Sequence, residues 1–271
     1  MYLKYAFSAA SAAPTAEPAT EPEQKNDEQE QTEAGTWRVP GGSVRRLSQL
    51  IMETEHTLIA GTTGCGKSVL ISEIVTDILK TYAPSEARLL LIDPKKTELE
   101  RWRELPHVRG YADEPVGAVN VLQKAVEIMD ARYDILKHSG ELKWRSGRVY
   151  IIIDELLPLM ISPQVKEIKR LMTLLLTQGR AAGIVIIAAT QAPNRKIIPA
   201  ELVCCFTTRI GMKCVFPIES RQIIGDKGCE LLPKHGLVYI VSGCDLMRAK
   251  VELPGAGEID GVIKHWMQQV A

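Results

Sequence analysis

The sequence predicts an α/β fold, a mostly parallel sheet flanked by helices. Two observations predict it. Apolar runs of strand length recur along the chain, several without alternation, as in strands buried on both faces. Segments with a helical apolar period stand between them, so strand-like and helix-like stretches take turns. In order, residues 57–60 (TLIA) form a short strand. A helix from Lys67 to about Tyr82 carries Leu70, Ile71, Ile74, Val75, Ile78 and Leu79 on one stripe. Residues 88–93 (RLLLID) form a buried strand. A helix over 116–137 has Ala118, Leu122, Ala125, Met129, Tyr133 and Leu136 on one face. Residues 149–154 (VYIIID) form a third strand. Ser162 and Pro163 read as an N-cap and first helical residue, opening a helix that runs to about Ala182 with Gly183 as its cap. Residues 184–190 are a fourth strand, 207–213 and 237–241 are further strands, and 246–253 pairs back as a hairpin.

Residues 1–35 differ from this pattern. Residues 13–33 hold three prolines, many Glu and Gln, and no apolar side chain larger than Ala. Such a stretch buries too little to offset its ordering entropy, which predicts a disordered acidic tail or linker before one domain over 36–271. The formal net charge of 0 is an average. Seven acids against two lysines leave −5 on residues 1–35 and +5 on the other 236. The neutral total therefore says nothing against a polyanionic partner. The tail is expected to compete weakly with such a partner. The six cysteines form no C-x-x-C pair, so reduced thiols and a cytoplasmic location are expected. No apolar run is long enough to span a membrane.

The chemistry starts at residues 61–68, GTTGCGKS, which fit G-x-x-x-x-G-K-[ST] between a strand and a helix. Gly61, Gly64 and Gly66 let the backbone turn so that N–H groups face phosphate oxygens, with Thr62, Thr63, Cys65 and Val69 in the same cradle. The following helix N-terminus favours negative charge. Lys67 is placed to reach the β- and γ-phosphates of ATP, and Ser68 to ligate Mg2+. Cys65 reads either as a thiol activated at a helix N-terminus or as an incidental small residue, and the second reading is preferred. Asp154 and Glu155 end a buried strand, where an uncompensated acid pair is costly. That position suits Asp154 for holding Mg2+ and Glu155 for deprotonating a water. Thr190 and Gln191 end the next strand, at the edge where open α/β sheets contact ligands. Gln191 is thus a candidate sensor of the γ-phosphate or the lytic water.

Together these residues resemble the motor domain of the FtsK/SpoIIIE family of double-stranded-DNA translocases. The resemblance runs over about 55–240. It is carried by 56–69 (HTLIAGTTGCGKSV), 91–99 (LIDPKKTEL) with 105–108 (LPHV), 129–133 (MDARY), 153–155 (IDE), 180–184 (RAAGI) with 189–191 (ATQ), 208–210 (TRI) and 220–221 (SR). It implies a RecA-like P-loop NTPase, ATP and Mg2+ as cofactors, and a homo-oligomer in the form of a hexameric ring around double-stranded DNA. It implies that Arg180 is an arginine finger entering the neighbouring subunit's site. The family's basic residue after "ATQ" is Ala192 here, and Arg195 and Lys196 follow it. Those two and Arg221 are the expected DNA contacts. Neither a winged-helix module after the motor nor a membrane segment before it is expected from the given residues. A short relative from a plasmid, an integrative element or a phage is expected, or a piece of a longer chain. A membrane or secretion-machinery partner is a further expectation.

The function so implied is ATP-driven translocation of duplex DNA, in conjugative transfer, segregation or a mobile-element process. The alternative is a nucleotide-gated ATPase that docks on DNA or a partner without processive movement. A small-molecule P-loop kinase is disfavoured by the tandem Asp154-Glu155 and by the Thr190-Gln191 sensor position.

Overall fold

The computed structural model describes residues 36–38, 44–191, 193–194, 197–251 and 255–269. The tail at 1–35, Ala192, and the candidate DNA contacts Arg195 and Lys196 lie outside the described residues. Strands β1 (Thr36–Arg38) and β2 (Val44–Arg46) pair with each other in a small antiparallel sheet. Then follow α1 (Leu47–Glu53), β3 (Thr57–Ala60), α2 (Lys67–Thr81), β4 (Ala87–Ile92), β5 (Val108–Ala112), α3 (Pro115–Ser139) and β6 (Arg148–Ile153). After these come α4 (Leu157–Met160), α5 (Val165–Gln178), β7 (Ile184–Thr190), α6 (Ala200–Cys204), β8 (Thr208–Gly211) and α7 (Pro217–Ile224). The chain goes on with β9 (Leu237–Ser242), β10 (Asp245–Lys250) and α8 (Ala256–Gln268).

Among the described residues the main sheet has the order β10-β9-β8-β3-β7-β6-β4-β5. The pairs from β8 to β5 are parallel, and β9 and β10 are antiparallel additions at one edge. Strand β3 lies between β7 and β8, where the strand order turns back. Ligands of open α/β sheets bind at such a point, outside the carboxyl ends of the strands. This is the expected arrangement, a mostly parallel sheet flanked by helices.

The continuous apolar strands owe their runs to burial on both faces. In β4, Leu89 and Leu91 join a core with α1, α2 and α8, while Leu90 and Ile92 join another with α3 and α5. In β6, Tyr150 and Ile152 face the first core, and Val149, Ile151 and Ile153 the second. Period-2 alternation thus feeds two apolar layers. Each buried Leu or Ile contributes on the order of 2 kcal/mol. The stripe read on α2 is buried at Leu70, Ile71, Ile74, Val75, Ile78 and Leu79.

Two local readings need correction. The helix expected from Ser162 starts at Val165, with Gln164 as its N-cap. The Ser162 hydroxyl donates instead to Leu159 O (2.8 Å), closing the short α4 that the sequence pattern did not reveal. The same helix ends at Gln178 rather than near Ala182, with Gly179 as its C-cap. Gly183 (φ +70°) turns the chain into β7. The positive φ explains the glycine, because an L side chain there is strained.

Candidate active site

Four loops meet at the carboxyl edge of the sheet. Register sets them side by side: Ala60 pairs with Thr190, Ile92 with Ile153, and Ile153 with Ala188. The residues just past these strands are Gly61, Gln191, Asp93 and Asp154.

The glycine-rich loop is braced from β8 and beyond. Thr62 N and its hydroxyl both donate to Lys213 O (2.8 and 3.1 Å). A Cβ on Gly61 would meet Cys65 Sγ and Met212 Cβ, both at 2.8 Å, so only glycine lets the loop lie this close to its support. Gly66 has φ +106° and starts α2, a conformation in which glycine pays no steric cost. Cys65 points into the core, with Sγ 3.8 Å from Met212 Sδ. Burial pushes its thiol above the ordinary cysteine range. This agrees with the preferred reading of Cys65 as a small residue without redox chemistry. It is a packing residue of the loop.

Lys67 is buried and donates to Gly61 O (2.7 Å) and Thr62 O (2.8 Å). Burial lowers its ammonium pKa, because the charged form loses water. Ser68 is half-buried in the first turn of α2.

Asp154 and Glu155 are both buried. Burial pushes the Asp154 carboxyl above its usual range, against the pull of Lys95. Lys95 Nζ lies 3.2 Å from Asp154 Oδ2 and 3.3 Å from Glu155 Oε2. Asp154 Oδ1 is buried with no hydrogen-bond partner among the described residues. The orphaned buried carboxylate oxygen of Asp154 and the hydroxyl of Ser68 in the first turn of α2 are hard-oxygen donors, and they fit Mg2+. Glu155 Oε1 is held by Gln191 N (3.1 Å) and Leu157 N (3.3 Å).

Gln191 joins two of these loops. Its backbone donates to Glu155, and its side-chain Oε1 accepts from the Thr63 hydroxyl (2.7 Å). The residue expected to sense the phosphate end therefore touches both the cradle and the acid expected to activate water.

Two residues absent from the expected site belong to it. Asp93 Oδ2 accepts from Glu98 N (3.0 Å) and Leu99 N (2.9 Å), which folds the turn that presents Lys95. A buried apolar strand ending in Asp-Pro-Lys was the available signal, of the same kind as the one that revealed Asp154.

Arg180 is not at this edge. It follows α5, is largely exposed, and pairs with Glu55, which precedes β3. The cradle follows β3, so the two ends are about 20 Å apart along the strand. Arg221 is exposed on α7. Its neighbour Ser220 is buried and tied to Asp226 O (2.7 Å) and Cys229 N (3.1 Å).

The model of the FtsK/SpoIIIE family matches residues 21–150. DNA translocase FtsK of Staphylococcus aureus (strain Mu50) is 35% identical over 212 residues, 70% of this chain and 27% of that protein. DNA translocase SftA of Bacillus subtilis (strain 168) is 32% identical over 233 residues, 79% of this chain and 24% of that one. The chain thus spans about a quarter of the length of these relatives. Among solved structures, the pCW3 conjugation coupling protein TcpA with ATPgS aligns with a TM-score of 0.70 at 21% identity, covering 87% of this chain and 71% of that one. The cytoplasmic domain of the type VII secretion ATPase EccC of Thermomonospora curvata aligns with a TM-score of 0.67 at 22% identity, covering 78% and 28%. At these identities the two structures share the fold.

Proposed function

Because the chain belongs to the FtsK/SpoIIIE family, we propose that it hydrolyses ATP and uses the cycle to move along double-stranded DNA. The observation that carries this reading is the convergence of Lys67, Asp154, Glu155 and Gln191 at one sheet edge, with Gln191 bonded to both the cradle and Glu155. Backbone N–H groups of 61–69 receive the phosphates, and Lys67 exchanges its bonds to Gly61 O and Thr62 O for phosphate oxygens. Glu155 Oε1 is fixed by two backbone N–H groups, and Oε2, which faces the Lys95 ammonium at 3.3 Å, takes the proton of the attacking water. Ser68 and Asp154 would hold Mg2+, which when bound supplies positive charge to the β- and γ-phosphates.

Arg180 serves a neighbouring subunit of a hexameric ring, because its own cradle is at the other end of β3. Arg195, Lys196 and Arg221 contact DNA phosphates, a grip that ignores sequence and weakens with salt. The work is done in the cytoplasm, in conjugative transfer, segregation or a mobile-element process, with a membrane or secretion-machinery partner where the process needs one. The test is steady-state ATPase with and without long duplex DNA. Stimulation by duplex is expected. No stimulation, with Mg·ATP binding intact, overturns the translocase reading. Glu155→Gln should keep nucleotide binding and lose about 10²-fold or more in turnover.

A further inference from the structure

Lys95 is where the sheet edge holds a cation of its own. Its ammonium bridges the two site acids, 3.2 Å from Asp154 Oδ2 and 3.3 Å from Glu155 Oε2. The backbone beneath it is pinned. Asp93 Oδ2 accepts from Glu98 N and Leu99 N, and Lys96 N donates to Asp93 O (3.0 Å). Lys96 takes φ +60°, a left-handed conformation that non-glycine residues adopt only when the surrounding structure demands it. The Lys95 side chain, in contrast, is 29% exposed, so a flexible four-carbon stem on a fixed turn has a way out to water.

We propose that Lys95 is an exchangeable internal counter-ion: it offsets one of the two charges of the Asp154–Glu155 pair and must swing off Asp154 before a divalent ion is held there. The inference rests on the ATP-hydrolysis reading for the identity of the metal site. Two carboxylates and one ammonium leave the cluster at −1. A divalent ion on Asp154 meets a like charge a few ångströms away, in a site where burial weakens screening. Lys67 lies in the same field but is tied to Gly61 O and Thr62 O, so Lys95 is the cation free to leave. Lys95 is thereby a positioning residue. It keeps the acids apart from stray metal and sets the threshold at which the site takes one.

The test uses the full chain without nucleotide or DNA, with Mn2+ and Mg2+ as probes. Mn2+ affinity is read by electron paramagnetic resonance, and thermal stabilisation by either ion is read by melting. Lys95→Met should bind Mn2+ about tenfold more tightly than the wild type. It should gain more melting temperature from the ion, while Lys95→Arg stays near the wild type. Asp154→Asn added to Lys95→Met should abolish the gain. Equal or weaker Mn2+ binding by Lys95→Met overturns the proposal. If Lys95→Met does not fold, the wild type decides by the NMR signal of the Lys95 ammonium: Mg2+ should speed its exchange with water, and an unchanged signal overturns the proposal. Failure of the translocase reading appears instead as ATP turnover that ignores DNA, and the metal titration does not register that.

Discussion

His56 shows how a single residue couples the start of β3 to the rest of the sheet. It is buried, and its Nδ1 accepts from Ile186 N (3.1 Å) in β7. Accepting there requires the neutral ring. Burial lowers its pKa to about 4, with Arg180 nearby adding to the effect. In the unfolded chain the ring takes a proton near 6.5. The unfolded state therefore binds more protons between these values, and stability falls as pH drops through that window. The contribution is complete above about 6.5 and is lost at up to about 1.4 kcal/mol per pH unit on the way down to about 4. Urea unfolding at pH 7.5, 6 and 5 should show this loss. His56→Gln, which keeps an acceptor and cannot titrate, should flatten the difference. A variant as acid-sensitive as the wild type would assign the slope elsewhere.

At the scale of elements, the turn bearing Arg180 is held by α3 and the loop after it. Buried Arg132 donates to Ala182 O (2.7 Å) and Gly183 O (3.3 Å), and its guanidinium stacks over Trp144 at 4.8 Å. Trp144 N donates to Ala181 O (2.8 Å), and the Tyr133 hydroxyl reaches Gln178 O. Arg132→Ala takes the side-chain donor from Ala182 O, while Gly183 O keeps Val149 N (3.0 Å), and it removes the stacked cation, at a cost of about 2–4 kcal/mol. Denaturant unfolding checks that figure, and turnover should fall more than nucleotide affinity if Arg180 is the displaced group. The residues 129–133 stood out in the sequence as a block, but their task became visible only once α3 lay beside 178–183. The core strands were legible because β3, β4, β6 and β7 are unbroken apolar runs, and the cradle because its chemistry needs a fixed spacing. Edge strand β5 was not legible: VRGYA is half-exposed and shows neither period. Nor was α7 or α8. The start of α5 was misread because Ser162 satisfies α4, a contact that no local rule ranks above an N-cap. Lys95 escaped because its role depends on the register of β4 against β6, which sets Ile92 beside Ile153.

Over the whole molecule, the cradle and Arg180 lie at opposite edges of one sheet. The cradle, Asp154, Glu155 and Gln191 lie at the carboxyl ends of the strands, and Arg180 lies beyond their start, paired with Glu55. No side-chain motion spans a strand of this length, so the proposed finger Arg180 would reach ATP only through a second copy. A head-to-tail contact places one copy's Arg180 edge against the next copy's cradle edge, and such contacts close into rings when the rotation permits. Two consequences are measurable. Turnover per chain should rise with protein concentration until assembly is complete. Arg180→Ala and Glu155→Gln should each be inactive alone, yet a mixture should recover activity. The Arg180→Ala copy still offers an intact cradle and base, and the Glu155→Gln copy still offers its arginine. Random mixing in equal amounts should restore about a quarter of wild-type turnover through such a heterologous contact. No recovery, with mixed assembly verified by cross-linking, would remove Arg180 from the reaction and leave its ion pair with Glu55 as a purely structural tie.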